Sequence, residues 1–171
     1  KDRETHLIGT VFRATYPEGI IIKKITVDGM DSTEAIIKML EGKFSQQVRV
    51  IFLHGLTFAG FNVPDIRKIY DERKIPVVTF ARKEPDFIAI ENALKKHFND
   101  WEIRLDLLKN IPSGIIKKGK SKIFVQFIGI SYGDVLNLFQ NTTIRGNMPE
   151  PLRLAHMIGS AIHFGYSKRK I

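Results

Sequence analysis

A chain of 171 residues that is 43% hydrophobic is long enough to bury one sizeable core and too apolar to be disordered as a whole, so a single domain over residues 1–171 is expected. The absence of cysteine excludes disulfides, thiolate metal sites and thiol nucleophiles together. A net charge of +9 and an isoelectric point near 9.8 favour polyanionic partners, while no apolar run has the length of a membrane span and the first residues carry no secretory core, so a soluble, cytoplasmic protein with no membrane partner is expected.

In chain order, His6 to Ala14 and Gly19 to Val27 are β-rich runs split by Thr15-Tyr16-Pro17-Glu18-Gly19, whose Pro and Gly predict a hairpin turn and an antiparallel pair. Asp31 to Phe44 sets Ile36, Ile37, Leu40 and Phe44 on one helical stripe, and Val48 to Leu53 is a short continuous apolar strand of the buried, parallel type. A helix then ends near Lys74. Ile75 to Ala81 predicts a second buried strand, and Pro85 to Phe98 a helix with Phe87, Ile90, Leu94 and Phe98 on its apolar face and Glu91 and Lys95 paired on the wet one.

Trp101 to Ile111 has helical spacing and is closed by Pro112-Ser113-Gly114; Ile123 to Ile128 is another apolar strand. Two helices end the chain. The last, about Pro149 to His163, carries a stripe of Leu152, Ala155, Gly159 and Ile162, and Asn147 before it is a good N-cap. A hairpin followed by strand-helix alternation describes a mixed sheet with helices on its faces, the α/β class.

Several residues could carry chemistry. Asp28, Asp31 and Glu34 recur at three-residue intervals around a strand end and a helix start, where carboxylates can hold a hard divalent cation; equally, Asp31 and Glu34 form an Asp-x-x-Glu capping box and Asp28-Gly29 an ordinary turn. His54-Gly55 ends a strand, the position at which open α/β sheets bind ligands, and Arg82-Lys83 ends the next. Phe58 and Phe61 can stack on a base or pack on the core, and His156 can touch phosphate or fill the Leu152 face. Lysines cluster at Lys117-Lys118-Gly119-Lys120-Ser121-Lys122 and at Lys168-Arg169-Lys170 with few aromatics between them, an electrostatic signal for nucleic acid rather than a stacking one.

Gly129-Ile130-Ser131-Tyr132-Gly133 matches the G-x-S-x-G nucleophile elbow, with a strand before it and a helix after it. The tail beyond it is too short for the later strands of a Ser-His-acid hydrolase. Ser131 has a simpler role as an N-cap, with Asp134 three residues on.

Four segments in the same order, Thr26-Val27-Asp28-Gly29, Leu53-His54-Gly55, Val77 to Lys83 and the stretch from Arg145 to His156, resemble the endonuclease V relatives, and among them the archaeal endonuclease dU group. The resemblance implies a ribonuclease H-like fold and a metal-dependent endonuclease acting on DNA with a deaminated base, deoxyuridine or similar, with Mg²⁺ or Mn²⁺ as cofactor. The alternatives are a non-catalytic nucleic-acid-binding domain and RNA as the partner. It further implies a metal-binding carboxylate at the start of the first helix, Glu34 or Asp31, with Asp28 beside them and His54 where the nucleases have the Asp of an Asp-Gly pair. That departure shifts preference from Mg²⁺ toward Mn²⁺ or Zn²⁺, or marks a weakened site.

Asp31, Glu34, His54 and Lys83 are thus the expected catalytic set, Lys83 corresponding to a strand-end lysine at the scissile region. Arg82, Arg145, Arg153, His156, Phe58 and Phe61 are the expected nucleic-acid contacts. Three features depart from the endonuclease V branch: Ile128 stands where that branch has a His, no aromatic wedge lies between Val27 and Ser32, and the first strand of the family, which ends in an acidic residue, is not among these residues.

Overall fold

The computed structural model describes residues 3–167; the Lys168-Arg169-Lys170 cluster lies outside them. Strands β1 (Glu4–Arg13) and β2 (Tyr16–Thr26) form an antiparallel hairpin, but the turn is the two-residue Ala14-Thr15, with Ala14 at φ 52°, rather than the longer segment that Pro17 and Gly19 suggested. Pro17 sits within β2 next to a register shift between Val11 and Phe12, where its missing N–H costs no regular ladder bond. Gly19 makes room for the Phe44 ring, which lies where a side chain there would stand.

Beyond the hairpin come α1 (Ser32–Met39), β3 (Ile51–His54), α2 (Ile66–Arg73), β4 (Val77–Ala81), α3 (Phe87–His97) and α4 (Trp101–Leu108). A second hairpin of β5 (Ser113–Lys118) and β6 (Ser121–Ile128) follows, then α5 (Tyr132–Thr142) and α6 (Glu150–Phe164). The second sheet has the order β3-β4-β6-β5, parallel between β3 and β4 and antiparallel elsewhere. β5 was unreadable from sequence because Pro112-Ser113-Gly114 and a lysine run imitate a loop. None of the described helices is long and apolar enough to cross a membrane.

Alternation along β4 feeds two cores. Val77 joins Leu53, Ile66, Ile69, Ile36 and Ile37 under α1 and α2, whereas Val78 and Phe80 join Val125, Val135, Phe139 and Leu152 under α5 and α6. Helices therefore cover both faces, as the α/β reading requires.

The hairpin and the four-stranded sheet do not touch edge to edge. β1 pairs only with β2, and β3 only with β4, among the described residues, so each presents one open edge. Between those edges lies a groove of about 1050 Å³ bounded by β1 from His6 to Ala14, by Gln47 to His54, and by side chains of α1 and α6. α6 bridges the gap: Thr10 Oγ1 donates to the Pro151 carbonyl at 2.8 Å, and His156 meets His54.

Candidate functional site

The three carboxylates around the start of α1 are each already engaged. Asp28 adopts the left-handed region (φ 58°), and its Oδ1 accepts from the Phe61 amide at 2.8 Å while its own amide donates to the Ala59 carbonyl. Gly60 is obligatory beside it, at φ +86° with the Asp28 carboxylate where a Cβ would stand.

Asp31 turns away from the helix it precedes. Its carboxylate accepts from the Thr26 amide at 3.0 Å, the Thr26 hydroxyl at 2.9 Å and Asn62 Nδ2 at 2.6 Å. Burial pulls its pKa upward, yet the hydrogen bonds from Asn62 and Thr26 outweigh that and hold it below the usual carboxylate range. Glu34 is exposed and pairs with Lys68 at 2.5 Å, whose hydrogen bond keeps its carboxyl ionised to lower pH. Neither the expected cation cluster nor the capping box is present: Asp31 makes no side-chain cap bond, and Asn62 Oδ1 instead accepts from the Ser32 amide. Among the described residues, no three His, Asp or Glu side chains come together to hold a metal.

Asn62 was invisible in the sequence. It is fully buried, and its amide ties Ser32, the Thr26 carbonyl and Asp31 into one knot. Asp31→Ala is expected to cost about 2 kcal/mol by orphaning these donors, whereas Glu34→Ala leaves the urea midpoint essentially unmoved; equal losses from the two would contradict this assignment.

At the end of β3, His54 lies beside His156 and within electrostatic reach of Arg82. His54 ends β3, Gly55 donates its amide to the Phe80 carbonyl at 2.8 Å, and Arg82-Lys83 leaves the end of the neighbouring β4. The His54 and His156 rings meet edge to face with centroids 5.6 Å apart at the wall of the groove. Burial, with the nearby charges of His156 and Arg82, pushes the His54 pKa down to about 4, so this imidazole is neutral at pH 7. It presents a lone pair and an N–H, not a charge.

The remaining expected contacts divide. Arg82, Lys83 and Arg145 are exposed. Arg153 is ion-paired with Glu150 at 2.6 Å, which neutralises much of its attraction for phosphate. Phe58 packs on the core and Phe61 stacks edge-on against Phe98 at 5.6 Å, so both serve packing. Asn147 does not cap α6, whose N-cap is Pro149; its Nδ2 donates to Ser121 Oγ at 2.7 Å. Ser131 caps α5 through the Asp134 amide and donates its hydroxyl to the Asp134 carboxylate at 2.6 Å, an N-cap arrangement with no histidine in it.

The chain is 42% identical over 171 residues to a UPF0215 protein of Thermococcus kodakarensis, covering 99% of this chain and 87% of that one, and 39% identical over 167 residues to one of Methanosarcina acetivorans, covering 95% and 85%. A crystal structure of a protein of unknown function from Archaeoglobus fulgidus matches with a TM-score of 0.84 and 36% identity over 95% of this chain and 92% of that one. Ciona intestinalis endonuclease V, solved with a DNA containing an inosine followed by a ribo-adenosine, matches with a TM-score of 0.56 at 11% identity, over 93% and 83% of the two chains, and shares the fold. Since the family described as endonuclease dU matches residues 1–163 and the archaeal relatives match nearly end to end, this chain belongs to the endonuclease dU family.

Proposed function

We propose that the chain is the body of an endonuclease that hydrolyses DNA beside a deaminated base, deoxyuridine or similar. The observation that carries this reading is the meeting of His54, His156 and Arg82 at the carboxyl edge of β3 and β4, with Lys83 on the same strand end, in a protein that shares its fold with endonuclease V. Arg82 and Lys83 would place positive charge beside the scissile phosphate and offset the charge that develops on the leaving oxygen. His54 would orient the strand as a neutral hydrogen-bonding group, and the exposed Arg145 would hold the flanking backbone.

The Mg²⁺ or Mn²⁺ that the resemblance implies is not matched by the residues present. Asp28, Asp31 and Glu34 are committed to Phe61, to Thr26 and Asn62, and to Lys68. Among the described residues, no three His, Asp or Glu side chains gather at the His54 edge to hold a divalent ion. The open edges of β1 and β3 support one source of oxygen donors for it, a further strand of a longer protein seated in the groove, and the T. kodakarensis relative does extend beyond the matched span. Residues near the end of such a strand would reach the His54 edge.

The test is cleavage of uracil- and hypoxanthine-containing oligonucleotides by the full-length protein, with Mg²⁺ and separately with Mn²⁺. Cleavage that falls by about 10² in Lys83→Ala supports the assignment. A second reading, a nucleic-acid-binding domain without catalysis, is favoured by the dispersed carboxylates; salt-sensitive binding with no cleavage under either metal would select it.

A further inference from the structure

The β5–β6 hairpin stands at the same end of the sheet as His54. β6 runs antiparallel to β4, and Ala81, the last residue of β4, lies opposite Phe124. Residues Ser121–Ile123 and the turn before them therefore project past the end of β4 by about 10 Å at the usual rise of a strand. Asn147 ties the loop carrying Arg145 to the hairpin through Ser121.

The charge arrangement on this arm works against the fold. Lys117 lies directly opposite Lys122, so both ammonium groups share one face, while the buried Ile116 and Ile123 pair takes the other. Like charges directly opposite destabilise a sheet. Some cations elsewhere have acidic partners, Arg13 with Glu18, Lys24 with Glu4, Lys68 with Glu34 and Arg73 with Glu41, whereas Lys23, Lys38, Lys43 and Lys96 are scattered singly without one among the described residues. Among the described residues, Arg82, Lys83, Lys117, Lys118, Lys120, Lys122 and Arg145 form no ion pair. Lys118 turns inward, donating to the Thr143 carbonyl, and the exposed Lys117, Lys120 and Lys122 remain outside.

A phosphate chain is the partner that relieves this repulsion, and the hairpin continues the cationic edge begun by Arg82 and Lys83. We propose that the β5–β6 hairpin is a phosphate-tracking arm that holds the DNA strand leaving the His54 edge. Its reach spans about three phosphates at the spacing of one strand of duplex DNA. The inference rests on the nucleic-acid reading above and adds to it a second region of contact.

K122E separates folding from binding, because it converts the repulsive cross-strand pair into an attractive one. The full-length variant should melt no lower than the wild type, yet bind fluorescein-labelled uracil-containing duplex at least tenfold more weakly, with a shallower dependence of affinity on salt. K43E, an equal change of net charge on the segment entering β3 at the opposite end of the sheet, should leave binding nearly unchanged. K120E lies on the turn, outside the strand ladder, and carries the same expectation should K122E fold poorly. If the wild type binds in a salt-sensitive way and K122E or a folded K120E binds no worse than K43E, the arm is wrong and the nuclease reading stands. If the wild type shows no salt-sensitive binding to duplex or single-stranded DNA, that reading falls and the arm with it.

Discussion

Arg104→Ala is expected to lower the free energy of unfolding by about 2–4 kcal/mol, more than any other single substitution considered for this chain. Arg104 is 5% exposed, and no apolar partner set accounts for its position on α4. Its Nη1 donates to the Gly29 carbonyl at 2.9 Å and the Phe61 carbonyl at 2.7 Å, its Nε donates to Asp100 Oδ1 at 2.9 Å, and its guanidinium lies 4.2 Å from the Phe98 ring centre. One side chain thus joins the turn after β2, the loop after β3 and the α3–α4 corner. Truncation leaves two half-buried carbonyls without their donor, while the ion pair to the more exposed Asp100 is screened by water and adds little. Arg104→Lys should recover only a minor part of the loss, since a single ammonium cannot reproduce the planar fork. Urea unfolding of the three proteins reads this directly; a loss within about 1 kcal/mol for the alanine variant would show that the loops hold without Arg104.

The second large effect is a pH dependence. His54 has a folded pKa of about 4 against an ordinary value of 6.5. Below pH 6.5 the unfolded chain binds a proton that the folded chain refuses, so stability falls as the pH drops, and the loss is complete only once the pH passes below the folded value. The difference corresponds to at most about 3 kcal/mol. Above pH 6.5 His54 contributes no slope. Melting temperatures of the wild type and His54→Gln, followed from pH 7.5 to pH 4, should converge toward low pH as the wild type loses this increment and the variant does not. Parallel acid limbs would mean that His54 is solvated in the native protein. The origin of the depression is the same packing that sets the ring against His156 and near Arg82, so stability at low pH and the electrostatics of the candidate edge are one property.

Much of the architecture was legible because the core strands are nearly unbroken apolar runs and the helices keep a clear stripe. The strand read at Ile75 to Ala81 forms over Val77–Ala81 and the one read at Ile123 to Ile128 lies within Ser121–Ile128, and the Ser131 cap and the Glu91–Lys95 pair were equally legible. Failures arose where local chemistry is decided by distant residues. Asp31 and Glu34 have the spacing of a capping box, but Asn62, thirty-one residues from Asp31 in sequence, supplies the cap and captures the Asp31 carboxylate. Lys68 on the next helix takes Glu34. Asn147 has the residue type of a cap and serves instead as a brace to the hairpin. Spacing reports which groups can meet along one element; it is silent about partners delivered by another.

The same limit applies to the candidate edge. His54 was singled out because strand ends in open α/β sheets gather ligands, a rule that needs only the strand assignments, and Lys83 because the resemblance puts a lysine at that strand end. The contact of His156 with His54 depends on α6 crossing two sheets, and nothing in the helix's own periodicity distinguishes a histidine facing a groove from one filling a core.

The facing margins of β1 and β3 have a further consequence for how this polypeptide behaves. Both carry backbone amides and carbonyls that lack a ladder partner among the described residues, and the margin of β1 is long. Such margins template any extended peptide they meet, including the corresponding segment of a neighbouring copy. A preparation whose cleft stands open is therefore inclined to exchange strands between molecules and to precipitate on concentration, and its colloidal behaviour becomes a direct gauge of whether the cleft has been filled from within.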